Sequence, residues 1–149
     1  MNHIILLTHG EFSKGIAQSL KFILGDIADV TPLSITLNET VDETVSMLEK
    51  AYCPDKKTIL ITDIPGGSTT QSSIRMLERH PEIYLVSGLN LGLLLSLAML
   101  ELTDDREENL ANIRQVVAAA KDTLTLVNDM TVAASVEDEE GELLERSSK

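Results

Sequence analysis

Residues 4–25, "IILLTHGEFSKGIAQSLKFILG", carry the reading on which the fold turns. Ile4, Ile5, Leu6 and Leu7 form an apolar run without polar alternation, the pattern of a strand buried on both faces. After Gly10 the period changes. Phe12, Ile16, Leu20, Ile23 and Leu24 recur at helical spacing, and Gly25 ends the segment. A doubly buried strand that leads straight into an amphipathic helix is a βα unit, and such a strand needs helices on both sides of its sheet.

The alternation continues along the chain. A weaker strand is expected over residues 30–35. Thr40-Val41-Asp42-Glu43 then has the form of a capping box, opening a helix that buries Val41, Val45, Leu48 and Tyr52. Thr58-Ile59-Leu60-Ile61-Thr62 reads as a third strand, ended by Asp63-Ile64-Pro65-Gly66-Gly67, with helix from near Ser68 to about Arg79. Ile83-Tyr84-Leu85-Val86 reads as a fourth, broken by Ser87-Gly88, with a Leu-rich helix from Asn90. A long helix from about Glu107 is expected to place Leu110, Ile113, Val117, Ala120, Leu124 and Val127 on one face. Residues 131–136 fit a fifth short strand. Without internal repeats or a Gly/Ser linker, residues 1–136 read as one domain and residues 137–149 as an acidic, flexible tail. The expected architecture is α/β: a doubly wound, mainly parallel sheet of flavodoxin-like type with helices on both faces.

Composition excludes several functions. A formal net charge of −12 argues against nucleic acid or an anionic membrane as partner, and 3% aromatics leave few stacking platforms for bases. Cys53 is alone, so no intrachain disulfide is available and a reducing compartment is expected. The apolar stretch over residues 89–102 is interrupted by Asn90, Gly92, Ser96 and Glu101, and falls short of the roughly 20 residues a spanning helix needs. The N-terminus lacks the cationic segment of a signal peptide. A cytoplasmic protein without direct membrane insertion is the expectation.

In a doubly wound sheet, ligands bind at the carboxyl ends of the strands. Three loops should meet there: Thr8-His9-Gly10, Asp63 with Gly66-Gly67-Ser68, and Ser87-Gly88-Leu89-Asn90. A carboxylate accepting a hydrogen bond from Nδ1–H would hold His9 in one tautomer and leave Nε2 free to attack, and Asp63 is the candidate. Gly66-Gly67-Ser68 opening a helix offers approachable amides, a hydroxyl and the positive end of a helix dipole, which suits a phosphoryl group. The combination points to a phosphohistidine. His3 and His80 are expected to be exposed and idle, and no His or Cys spacing supports a metal site. Glu11, Ser13 and Lys14 read as the solvated start of a helix.

Histidine phosphatases and phosphoglycerate mutases also place a histidine after the first strand, but in an Arg-His-Gly motif. Here Thr8 replaces the arginine that would clamp the phosphate. A two-component receiver would need an acidic pair where Thr8-His9 stands. The order of "THG", "DIPGGS" and "VSGLN" after the first, third and fourth strands instead resembles the enzyme IIA component of the mannose-type bacterial sugar phosphotransferase system. That resemblance implies His9 as the residue phosphorylated at Nε2, and Asp63 as its support through Nδ1. It implies Ser68 and the amides around Gly66 and Gly67 as holders of the phosphoryl oxygens, with Thr8 and Gly10 shaping the loop. It further implies the carrier protein HPr as donor, a separate IIB subunit as acceptor, and no metal or organic cofactor. A homodimer is implied as well, in which a C-terminal strand crosses to the neighbouring sheet; residues 131–136 fit that part. A phosphocarrier of the dihydroxyacetone kinase pathway begins with a similar domain, and a regulatory module sensing phosphorylation would share His9 and Asp63. Two positions depart from the family pattern: Thr69 and Gly92 stand where proline is common.

Overall fold

β1 (His3–His9) lies at the centre of the sheet in a computed structural model that describes residues 1–130. The chain continues through α1 (Phe12–Leu24), β2 (Asp29–Ile35), α2 (Val41–Ala51), β3 (Thr58–Thr62), α3 (Ser68–Arg79), β4 (Tyr84–Ser87), α4 (Leu91–Met99) and α5 (Arg106–Lys121). Among the described residues the strands pair in the order β2-β1-β3-β4, all parallel. This is the doubly wound arrangement the βα alternation predicts, and its switch point lies between β1 and β3.

Period-two alternation on the central strands divides the core in two. Ile4, Leu6, Ile59 and Ile61 pack under α1, α4 and α5, against Ile16, Leu20, Leu94, Leu97 and Ile113. Ile5, Leu7 and Leu60 pack under α2 and α3, against Val45, Leu48 and Met76. Each fully buried Ile or Leu contributes roughly 1.5–3 kcal/mol, so this two-sided packing fixes strand register firmly. Pro32 sits in β2, an edge strand among the described residues, where a missing N–H costs no ladder bond on the open side. Thr40 caps α2 as expected, its hydroxyl accepting from Glu43 N at 3.1 Å.

Three expectations are corrected. His3 is buried, not exposed, and its Nε2 is 3.1 Å from Thr31 Oγ1 on β2. His80 is half-buried, stacked on Tyr52 with centroids 4.2 Å apart and 3.0 Å from Glu49 Oε2. The last long helix stops at Lys121, because Asp122 N and Thr123 N bond three residues back, to Ala119 O and Ala120 O, and tighten the turn. Leu124 and Val127 consequently leave the helical face and are exposed. The strand expected at residues 131–136 and the tail over 137–149 lie outside the described residues.

Candidate functional site

β1 delivers His9 to the carboxyl edge of the sheet, and the loop behind it is held from three directions. Gly10 takes φ +60°, a conformation glycine adopts without steric cost, and its N–H donates to Ile35 O at 2.9 Å. Thr8 is fully buried and its Oγ1 accepts from Ser13 N at 2.8 Å, closing the first turn of α1 in place of a side-chain cap from Glu11. Ser13, expected to be solvated, is buried, with its Oγ 3.1 Å from Ser34 Oγ. Thr8 and Ser13 thus hold the loop.

β3 delivers Asp63 beside the histidine. Asp63 Oδ2 accepts from His9 N at 2.8 Å and lies 2.7 Å from His9 Nδ1. Oδ1 accepts from Ile64 N at 3.1 Å and from Thr69 Oγ1 at 2.8 Å. Burial works to raise the Asp63 carboxyl, but the hydrogen bonds from His9 and Thr69 together outweigh it and hold it below the usual carboxylate range. An ionised carboxylate only accepts, so Nδ1 carries a proton, and in the neutral ring the lone pair then lies on Nε2. That nitrogen is 3.2 Å from Ser68 Oγ, the first residue of α3, whose hydroxyl is the donor to the neutral ring. The His9 side chain is 47% exposed, so the ring is reachable from solvent.

Gly66 and Gly67 shape the turn between Asp63 and Ser68. Gly66 adopts φ +79°, and the backbone at Gly67 passes close to its neighbours: a Cβ there would lie 3.1 Å from Ile64 Cγ1 and 3.6 Å from His9 Cε1. Gly67 is the N-cap of α3 and supplies no side-chain cap, so the first-turn amides remain available to an anion. Behind this turn Thr62 Oγ1 lies 2.7 Å from Thr70 Oγ1 and 2.8 Å from Ser87 Oγ, while Thr70 Oγ1 donates to Ile64 O at 2.7 Å. His9 and Ser68 line a groove of about 260 Å³ together with Thr36, Leu37, Thr40 and Ser72. No group of His, Cys, Asp or Glu among the described residues is arranged to hold a metal ion. Sequence reading missed Thr69 and the Thr62–Thr70–Ser87 cluster. For Thr69 and Thr70 the signal was a run of hydroxyl residues after Gly67, and Ser87 had been placed only as part of its loop.

Residues 3–114 match the family described as "PTS system fructose IIA component", where PTS is the phosphotransferase system. The chain belongs to this family. It is 27% identical over 99 residues to the "PTS system sorbose-specific EIIA component" of Klebsiella pneumoniae, covering 65% of this chain and 73% of that protein. It is 26% identical over 98 residues to the protein of the same name from Lacticaseibacillus casei, covering 64% and 71%. The fold is that of the "Mannose/sorbose specific IIA subunit of phosphotransferase system from Enterococcus faecalis", with a TM-score of 0.73 and 20% identity over 84% of this chain and 93% of that one. No helix among the described residues is long and apolar enough to cross a membrane.

Proposed function

We propose that this IIA component is a phosphoryl relay in sugar uptake. His9 takes a phosphoryl group from the phosphohistidine of HPr and passes it to a IIB subunit, which phosphorylates the sugar. The observation that carries this reading is the orientation of one ring: Nδ1 at 2.7 Å from Asp63 Oδ2, and Nε2 turned to the Ser68 hydroxyl at the start of α3.

The Nε2 lone pair attacks phosphorus as the donor's P–N bond breaks, and that bond's electron pair returns to the donor imidazole. The ring of His9 then carries positive charge shared with Nδ1–H, which the Asp63 carboxylate balances. Ser68 Oγ–H turns from Nε2 to a phosphoryl oxygen, and the first-turn amides of α3 take up the remaining charge. Onward transfer reverses the step. A nucleophile of the acceptor attacks phosphorus and Nε2 regains its pair. Neither step calls for a metal or organic cofactor. Donor and acceptor bonds are of similar energy, so alignment and charge compensation are what the protein supplies.

The sorbose-specific names of the sequence relatives favour sugar uptake over the dihydroxyacetone branch. A cytoplasmic homodimer belongs to the same reading. β4 is an edge strand among the described residues, and beside it runs a groove of about 500 Å³ lined by Leu85, Val86, Leu110, Ile113 and Val117. Sedimentation of the full chain as a monomer would remove the dimer from this scheme.

The deciding experiment incubates the protein with phosphoenolpyruvate, enzyme I and HPr. One acid-labile phosphate per chain is expected on the wild type and none on His9→Ala. Phosphate on the alanine variant, or none on the wild type, overturns the relay.

A further inference from the structure

We propose that Thr69 is a positioning residue that sets the basicity of His9 by drawing charge from the Asp63 carboxylate. The inference rests on the reading of His9 as the relay residue, and it names a control on that residue.

A histidine that attacks through Nε2 must keep that nitrogen unprotonated in the resting protein. The carboxylate 2.7 Å from Nδ1 works against this, since a nearby negative charge favours the doubly protonated ring. How strongly it does so depends on the donors that share the Asp63 charge. Its two oxygens receive four donors: His9 N and Nδ1 on Oδ2, and Ile64 N and Thr69 Oγ1 on Oδ1. Two of these belong to His9 itself. Of the other two, the Ile64 amide is local to the turn and long at 3.1 Å, whereas the Thr69 hydroxyl approaches to 2.8 Å from the first turn of α3.

Thr69 is fully buried, and its hydroxyl has no other hydrogen-bond partner among the described residues. Its role is charge dispersal more than orientation. With the hydroxyl removed, three N–H groups would still hold the carboxylate plane, and the charge released from Oδ1 would be shared with Oδ2, against the ring. Two carboxylates close to His9 in the sequence or in its groove have partners of their own. Glu11 pairs with Lys14 at 3.3 Å, and Glu39, in the groove beside the ring, accepts from Thr36 N at 2.7 Å.

The test follows the His9 ring by NMR across pH in the unphosphorylated protein. Thr69→Val keeps the shape and removes the hydroxyl; Thr69→Ser keeps the hydroxyl. The His9 midpoint should rise by about half a pH unit in the valine variant and stay at the wild-type value in the serine variant. An unchanged or lowered midpoint in folded Thr69→Val overturns the proposal, because a residue that only packs would alter stability and leave the ring's titration alone. Should the valine variant fail to fold, Thr69→Ala is read by the same criterion. The titration needs no phosphoryl donor. Loss of the relay reading in the HPr assay would therefore leave this result standing, and the reverse holds as well.

Discussion

Asp63→Asn isolates the charge of the carboxylate while keeping its shape. In the native site Oδ2 receives two hydrogen bonds from His9, at 2.8 and 2.7 Å, and Oδ1 receives two more from Ile64 and Thr69. A hydrogen bond to a charged group is worth about 1.5–3 kcal/mol net and a neutral one about 0.5–1.5 kcal/mol, so each of the two His9 bonds loses about 1–1.5 kcal/mol. If both losses fall on the transfer state, where the ring is positive, the barrier rises by about 2–3 kcal/mol, roughly a 30- to 160-fold slowing. The amide must also set its NH2 against one pair of donors. Facing Oδ1's partners, it meets the Thr69 hydroxyl, which can rotate to accept, and the Ile64 N–H, which cannot. The resting fold therefore loses about 1–3 kcal/mol as well. Because Asp63 titrates below the usual carboxylate range in the folded protein, its stabilising contribution is present above that range and disappears as pH falls through the lowered native value. The urea midpoints of wild type and Asp63→Asn should thus converge in acid. Rapid-quench transfer from labelled phospho-HPr measures the rate, and urea denaturation the stability. Transfer within threefold of wild type would refute the electrostatic role given to Asp63.

Asn109, 1% exposed, donates to Tyr84 Oη at 2.9 Å and to Thr103 O at 2.7 Å and accepts from Thr103 N at 2.8 Å. Asn109→Ala should cost about 2–4 kcal/mol in urea denaturation, and a loss below about 1 kcal/mol would mean that those groups find other partners. Gly66→Ala meets no neighbouring atom but places a Cβ at φ +79°, so about 1–2 kcal/mol of stability should be lost through backbone strain alone. Equal stability would show that the turn rearranges. Tyr52 is pushed up to about 12 by burial and by its hydrogen bond to Glu82. A raised native value gives stability that is complete below the ordinary tyrosine range and is lost as pH climbs toward 12. Ultraviolet titration should find one tyrosine ionising late, and Tyr52→Phe should flatten the alkaline fall in stability.

The parts of this protein legible from sequence are those set by strong local patterns. The runs 4–7 and 58–62 read as strands, the first of them buried on both faces, and the Gly66-Gly67-Ser68 turn marked the start of α3 near Ser68, where it begins. The juxtaposition of His9 and Asp63 was legible too, because the βα alternation puts both at one sheet edge. What escaped was decided by tertiary partners. A histidine at the start of a strand gives no sign that Thr31, 28 positions away, will accept it into the interior. Leu124 and Val127 continue the apolar period of α5, yet the turn at Asp122 and Thr123 ends the helix before them. Thr69 read as a departure from a family pattern, and only its position against Asp63 Oδ1 gives it a role.

The precision of the site is a consequence of sheet register. Leu7 pairs with Thr62 across β1 and β3, so Asp63 follows one residue after that rung and His9 two residues after it. A slip of one residue would reverse the faces of an entire strand, sending Ile4 and Leu6 into the cluster occupied by Ile5 and Leu7. It would also carry His9 away from the carboxylate. The buried residues that forbid the slip are remote from the chemistry, yet they hold Nδ1 and Oδ2 at hydrogen-bonding distance before any partner arrives. A relay needs that preorganisation more than an enzyme with a captive substrate does. On the proposed reading its phosphoryl group arrives on another protein, so the ring must already be aligned when the two surfaces meet. The hydroxyl cluster of Thr62, Thr70 and Ser87 extends the same logic to the loop: it fastens the carbonyl of Ile64 to the ends of β3 and β4, so that the turn carrying Gly66, Gly67 and Ser68 moves with the sheet.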